Sequence, residues 1–359
     1  MNILVTGAKG FLGKNLCHTL KQTHTVWECH RKTPPEELET YCCRADLVFH
    51  LAGVNRAETE AEFWKGNVGF TETLLQVLTR QGNRCPVVFA SSIHAGENTP
   101  YGQSKQAAEE LVLSHGDNTA VYRLPNLFGK WCRPNYNSVV ATFCHNLANN
   151  LPIRVDDAQA ELQLAYIDDV VAELCTATKG KTGVQTISVI HRISVGDLAQ
   201  QLQQFRRSLE ILTLPAMDTF TKQLYATFLS FLPREMVCLQ LTTHADTRGS
   251  FTELLRPDQC GQLSVNIIRP GQTKGQHWHH SKWELFWVVS GEGLIRQRQV
   301  DREEILDFPV TGNRMEAVRI LPGYVHSIQN TSLTEDLVTV IWASEWFDPE
   351  KPDTVYEEV

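Results

Sequence analysis

The sequence predicts an α/β, doubly wound parallel sheet followed by a C-terminal all-β antiparallel barrel. Three observations carry that prediction. Short apolar runs alternate with helical patterns through the first half, as in "NILVTG", "FLGKNLCHTLKQ" and "HTVWECH", the pattern of right-handed β-α-β crossovers. The first of these runs ends in "TGAKGFLG", a glycine-rich turn between a strand and a helix. Past Pro233 short alternating segments take over: "QLSVNIIRPG", "ELFWVVSGEGLIRQR", "MEAVRILPG" and "LVTVIWAS", broken by glycine, proline or Asp/Asn. That spacing belongs to an antiparallel barrel or sandwich. At 359 residues the chain has room for both, since one core rarely grows past about 250–300 residues. The boundary is expected near 240–245, giving domains 1–243 and 244–359.

Taken in order, "NILVTG" is a buried strand, "FLGKNLCHTLKQ" a helix and "HTVWECH" a second strand. "DLVFHLAG" and "PVVFASS" follow with the same character, and "TETLLQVLTR" and "SKQAAEELVLSH" supply helices. The pattern continues through "TAVYRLPNLFG" and "LAYIDDVVAELCTA", then loosens into the amphipathic "VGDLAQQLQQFRRSLEIL" and "DTFTKQLYATFLSFLP". The C-terminal "PDTVYEEV" reads as a tail. A net charge of -8 argues against nucleic acid or an anionic membrane as partner, because neither would be drawn to it. Ten cysteines are scattered without zinc-ribbon spacing, as in a reduced, cytoplasmic chain. Neither a signal peptide nor an apolar run near the ~20 residues of a membrane span is expected.

In the glycine-rich turn, Gly7 allows the tight bend, Gly10 lets backbone approach a pyrophosphate and Gly13 lets the helix pack on the sheet. Phe11 opens the helix, whose N-terminal N–H groups and dipole suit phosphates. An NAD site usually ends its second strand with an acid. Here "ECHRK" offers Arg31 with Lys32, which favours NADP. In "FASSIHAGENTPYGQSKQ", Tyr101 and Lys105 are four apart and share a helix face. A neighbouring ammonium stabilises tyrosinate, so Tyr101 is expected to fall below its free pKa of ~10 and donate a proton near neutral pH. Ser92, ending the preceding strand, can hydrogen-bond the same carbonyl oxygen. The structural alternatives are a flexible loop, two solvated charges and a surface helix. Placement of the Tyr-Lys pair behind a strand ending in Ser-Ser, downstream of a dinucleotide turn, weighs against them.

With these residues the first 240 or so positions resemble the extended short-chain dehydrogenase/reductases, a Rossmann-type family acting largely on nucleotide sugars. The resemblance includes "HLAG" with Leu51 and Ala52, "GNVGFTETLL" with Asn67, "RLPNLFG" with Arg123 and Asn126, and "YIDDVV" at 166–171. It implies NADPH as cofactor, Leu51 and Ala52 beside it, and Lys105 on the nicotinamide ribose. Tyr101 becomes the proton donor, Ser92 the group polarising the carbonyl, and Asn126 a neighbour of the substrate diphosphate. One departure stands out: only fifteen residues separate His30 from Asp46. The usual third strand and its adenine contact are therefore expected to be shortened or absent.

The second half carries Gly271, five residues, His277, one, His279, four, Glu284, six, Gly291, and later Pro322-Gly323, two residues, His326, three, Asn330. This spacing is similar to the two motifs of the cupins, jelly-roll barrels, over about 244–350. His277 and His279 alternate on one strand and so face one side; Glu284 and His326 come from other strands. Three imidazoles and a carboxylate suit zinc, with nickel, iron or manganese open on ligand type. His280 points the other way. A barrel with satisfied histidines and no metal is the alternative. "DTRGSFTELL", Gln262, Asn266 and "KGQH" also resemble nucleotide-sugar 3,5-epimerases, themselves cupins. That likeness implies Arg248 and Lys274 on the substrate phosphates and His277 as base. A metal-bound histidine has committed its lone pair and cannot also collect a proton. His277 is read as a ligand, and the base stays unassigned.

A 4-keto sugar employs both halves. Its carbonyl makes the C3 and C5 protons removable, and hydride delivery to C4 then freezes the new stereochemistry. The whole length, including "RLPNLFGKWCRPNYNSVVATFCHNLA", resembles the bifunctional capsule and O-antigen enzymes of the UDP-N-acetyl-L-fucosamine pathway. The resemblance implies C3 epimerisation of a UDP-2-acetamido-2,6-dideoxy-4-hexulose in the cupin, then NADPH-dependent reduction to UDP-2-acetamido-2,6-dideoxy-L-talose. Cupins in general also imply a homodimer through the barrel. One rival is a reductase whose barrel is only a metal-stabilised dimerisation module. Another is an NADP-sensing regulator without chemistry, against which Tyr101 and Lys105 stand.

Overall fold

A computed structural model describes residues 1–177, 180–211, 213–214, 218–240, 243–246, 249–252, 256–257, 262–345 and 350–359. The chain forms two compact units: residues 1–128, 132–139 and 161–194 in one, and 129–131, 140–160 and 195–359 in the other.

The first unit is built on β1 (Asn2–Thr6), β2 (Thr25–Cys29), β3 (Leu47–His50), β4 (Val87–Ser92), β5 (Thr119–Leu124) and β8 (Gly183–Thr186). Their order is β2-β1-β3-β4-β5-β8 and every pairing is parallel. A smaller sheet sets β6 (Asn126–Phe128), β7 (Glu161–Tyr166) and β9 (His191–Ser194) in that order. The unit's helices are α1 (Phe11–Leu20), α2 (Pro35–Arg44), α3 (Glu60–Phe63), α4 (Phe70–Arg80), α5 (Pro100–His115) and α7 (Ile167–Thr176), whereas α6 (Val139–Ala148) groups from its second residue on with the second unit. The alternation of a strand explains the two faces. Ile3 and Val5 pack with Leu16 and Leu20 of α1, while Leu4 between them packs with Leu74 and Leu78 of α4. The chain leaves β1 to one side for β2 and comes back on the other as β3. The carboxyl ends of β1 and β3 thus flank the switch point where doubly wound sheets bind ligands. Among the described residues no strand pairs outside β2, and α2 carries the chain straight back to β3. The short His30-to-Asp46 interval is thereby accounted for.

In the second unit, helices Val195–Ile211 and Thr219–Leu229 precede the β structure. They lie before residue 243 in sequence yet group with the strands that follow. Tyr225 of the second helix meets Trp283 edge-on at 5.0 Å, and Trp283 meets Trp342 at 4.8 Å. Two five-stranded antiparallel sheets form. One holds Cys238–Gln240, Glu316–Ile320, Glu284–Ser290, Leu337–Ala343 and Gln262–Ile268 in spatial order; the other holds Ile305–Thr311, Glu292–Gln299, Tyr324–Asn330, Thr273–Trp278 and Val355–Tyr356. No pairing among the described residues joins the two sheets into a closed barrel. No described helix is long and apolar enough to cross a membrane.

Candidate functional site

Gly7, just past β1, takes φ +69°, the left-handed region that favours glycine. A Cβ on Gly13 would lie 2.3 Å from the Gly7 carbonyl oxygen, so α1 can approach the turn only without a side chain there. Gly10 is the N-cap of α1, and no side chain caps this helix start. Its first-turn N–H groups therefore suit an anionic ligand. Phe11 opens the helix and is half-buried, as are Leu51 and Ala52 behind β3; Arg31 is exposed beyond the end of β2. These elements fit a dinucleotide.

Under the turn lies His50, fully buried, its pKa pushed down to about 3 by burial and by nearby Lys105. The neutral ring has a definite tautomer. Thr71 Oγ1 donates to the Asn67 carbonyl at 2.6 Å, so it accepts from His50 Nε2–H at 2.8 Å. Nδ1 then accepts from Thr6 Oγ1–H at 2.7 Å, and Thr6 Oγ1 takes the Ala52 N–H at 3.3 Å. Asn67 sits in a π-helical turn, Trp64–Gly69, a feature frequent at functional sites. Its side chain accepts from Val54 N (2.7 Å) and donates to Val54 O (3.0 Å) and Ser104 Oγ (2.9 Å). Ser104 in turn donates to the Tyr101 carbonyl at 2.8 Å. One hydrogen-bonded network thus ties the cofactor turn to the tyrosine helix.

That helix, α5, is set by Thr99, whose side chain accepts from Gly102 N at 3.0 Å, and by Pro100 in its first turn. Ser92 ends β4, and its hydroxyl, which accepts from His94 N at 3.2 Å, favours the ionised form of the Tyr101 phenol. The Phe63 ring meets Tyr101 edge-on at 5.8 Å. Ser92, Tyr101 and Lys105 are all brought to the carboxyl end of the parallel sheet. The expected depression of the phenol is not what this structure holds. Burial pushes Tyr101 up, and Ser92 offsets only part of that. Lys105 is itself buried, donates to Ala90 O at 2.7 Å and lies over the Phe89 ring. Burial lowers its ammonium to about 8, against the pull of Glu109. Glu109 is a residue the sequence did not flag: buried, it accepts from Ser91 Oγ at 2.5 Å and takes a two-pronged contact from Arg123.

The second cluster assembles as the spacing implied. His277 and His326 are register partners on neighbouring strands, with a bulge just before His277 where Gln276 takes φ +60°. Glu284 begins a strand of the other sheet. One ligand atom from each of His277, His279, Glu284 and His326 lies within 4.8 Å of the others. His279 Nδ1 hydrogen-bonds the Asp353 carbonyl. A carbonyl only accepts, so Nδ1 holds the proton and Nε2 the lone pair. His279 Nε2 and His326 Nε2 are buried without hydrogen-bond partners, 3.8 and 3.5 Å from Glu284 Oε2. Buried polar atoms rarely stay unpaired; three converging imidazoles and a carboxylate fit a divalent cation. Burial would raise Glu284, but His279 and His326 hold it well below the usual carboxylate range. Burial, then His326 and His279, lowers His277 to about 4.

Asp353 was also missed, because "PDTVYEEV" carries no motif. It is no loose tail: Val355–Tyr356 pairs with Thr273–Trp278, setting Tyr356 beside His277. Of the expected phosphate contacts, Lys274 is exposed and donates to Asn266 Oδ1 and Ile267 O. Asn126 is exposed at the start of β6, and Arg248 lies outside the described residues.

Residues 3–189 match the NAD dependent epimerase/dehydratase family, and residues 244–355 the polysaccharide biosynthesis C-terminal domain. A Pseudomonas aeruginosa UDP-2-acetamido-2,6-beta-L-arabino-hexul-4-ose reductase is 40% identical over 99% of this chain and 98% of its own length. The crystal structure of the capsular polysaccharide assembling protein CapF from Staphylococcus aureus is 46% identical, with a TM-score of 0.67 over 100% of both chains. UDP-glucose 4-epimerase from Thermotoga maritima, 22% identical with a TM-score of 0.52, covers 58% of this chain and 83% of its own, and shares the fold. With a dinucleotide turn, a Ser-Tyr-Lys group and a match over half its length, the chain belongs to the NAD dependent epimerase/dehydratase family, and a nicotinamide is its cofactor.

Proposed function

We propose that the protein is a bifunctional UDP-sugar enzyme. It epimerises C3 of a UDP-2-acetamido-2,6-dideoxy-4-hexulose, then reduces the C4 ketone with NADPH to the UDP-2-acetamido-2,6-dideoxy-L-talose product. The observation that carries the reading is the pair of constellations on one chain. Ser92, Tyr101 and Lys105 stand by a dinucleotide turn, and a three-histidine, one-glutamate cluster lies in the β structure. Similarity to the Pseudomonas reductase supports the substrate class.

In the reductase, a nicotinamide bound at the glycine turn would supply the hydride for C4. Ser92 orients the ketone oxygen, and the Tyr101 phenol gives it the proton that completes the alcohol. The Lys105 ammonium binds the cofactor ribose and favours the phenolate left behind. Arg31 selects the 2′-phosphate of NADP, and Asn126 faces the substrate diphosphate. We assign the reductase to residues 1–243 and a cupin to 244–359, with residues 195–240 packing in the same compact unit as the cupin; the cupin also pairs two copies into a homodimer. His277, His279, Glu284 and His326 would hold zinc, which when bound would supply positive charge to stabilise an oxyanion developing as C3 loses its proton. Lys274 and Arg248 hold the substrate phosphates.

The test is NMR of the product formed with NADPH in deuterated water. Inverted C3 bearing deuterium beside a reduced C4 is expected; reduction without deuterium in the ring leaves a simple reductase. Tyr101→Phe should slow NADPH oxidation by ~10²–10⁴-fold, and equal rates would remove Tyr101 as the donor.

A further inference from the structure

The segment 353–359 is fastened around the histidine cluster at more points than strand pairing needs. The Asp353 carboxylate accepts three successive backbone N–H groups: His280 at 2.7 Å, Ser281 at 2.8 Å and Lys282 at 2.7 Å. It also accepts the Ser281 hydroxyl at 3.0 Å. The same residue's carbonyl receives His279 Nδ1–H. Beyond it, Glu357 N donates to the Gln276 carbonyl at 3.0 Å and Val359 N to Gln276 Oε1 at 2.9 Å. Arg298, on the strand Glu292–Gln299 of the same sheet, clasps the segment, reaching Glu357 Oε1 at 2.7 Å and the Glu358 carbonyl at 2.9 Å.

Each contact bears on the residues that bring the ligands together. The loop 280–282 joins His279 to Glu284, and Gln276 precedes His277. A metal-bound histidine is oriented by what its other ring nitrogen meets, and such outer partners weigh nearly as much as the ligands. Here that partner is a backbone carbonyl, whose position depends on the carboxylate of the same residue. An anion facing three N–H donors is a strong anchor, and an amide cannot replace it without turning its own N–H₂ toward donors.

We propose that Asp353 is a positioning residue for the His277, His279, Glu284 and His326 centre, and that docking of 353–359 and retention of a divalent cation are one coupled equilibrium. This rests on the reading that the cluster holds such a cation. The carboxylate fixes the loop and the carbonyl fixes the His279 tautomer, so Nε2 is presented as a ligand. Occupation of the centre in turn holds His279 against the carbonyl and stiffens the segment.

The experiment uses the full-length protein with zinc and cobalt. Affinity is read by competition with a chromophoric chelator, coordination by the cobalt visible spectrum, and docking by hydrogen exchange of 353–359 with and without metal. D353N is expected to weaken zinc binding 10–100-fold, to weaken the cobalt bands, and to abolish the metal-dependent protection of 353–359. R298A, which loosens the segment without touching loop or ligands, should move the same readouts less. Melting of the metal-free proteins separates the role from plain fold support. A drop in metal-free melting with unchanged affinity and spectrum would overturn the proposal. Wild-type protein that binds neither zinc nor cobalt would remove the metal reading itself. Tight wild-type binding matched by D353N would overturn only the role of Asp353.

Discussion

Lys105 shows how a side chain can be legible in sequence while its setting is not. The four-residue interval to Tyr101 set both on one face of α5, and the structure brings them there. The direction of the ammonium depends on the Ala90 carbonyl, fifteen positions away, and no helical period encodes that. Burial lowers Lys105 to about 8 and Glu109 pulls the other way. Glu109→Gln removes the charge that favours the ammonium, so the Lys105 pKa should fall further. The alkaline limb of the reductase kcat profile should then move to lower pH, because Lys105 loses its proton earlier. An alkaline limb in the same place would show that Lys105 does not set it. His50 escaped notice for a similar reason, and Asn67 was named by resemblance alone, without the contacts that hold it. Their partners, Thr6, Thr71, Val54 and Ser104, are scattered along the chain and converge only after folding.

At the scale of elements, the glycine turn was the most readable part, since its geometry is local. A Cβ at Gly13 would meet the Gly7 carbonyl and the Ala8 Cα, both backbone atoms that cannot swing aside. Gly13→Ala should therefore push α1 off β1, costing about 1–3 kcal/mol of overpacking strain and weakening dinucleotide binding. Thermal melting and a cofactor fluorescence titration would check both; wild-type values would mean the contact relaxes freely. The four metal-ligand candidates were readable too, because alternation along a strand and recurring intervals survive in sequence. The bulge at Gln276 was not, nor was the two-residue strand Val355–Tyr356. A pairing so short leaves no period to detect, and its stability comes from Asp353 and Arg298 contacts distant in sequence.

For the whole molecule, the order of the proposed reactions is dictated by acidity: once C4 is reduced, the C3 proton can no longer be removed. The two steps should be separable by mutation. His326→Ala is expected to lose bound metal and to slow C3 deuterium exchange sharply, while hydride transfer to an already epimerised ketone stays near wild type. Loss of both steps together would tie the centre to the integrity of the entire chain; unchanged exchange would leave the cation a structural role.

The sheet that stops at β2 has a further consequence. A terminal strand displays a row of backbone groups on which a foreign strand could build, a hazard natural sheets must blunt. The protein keeps this one to five residues. It also sets Glu28 between Lys9 at 3.1 Å and Lys21 at 2.6 Å, and Trp27 is stacked on Tyr41 of the returning helix. The economy of an omitted strand is thus matched by charge and aromatic cover on the rim it exposes, which guards against self-association there.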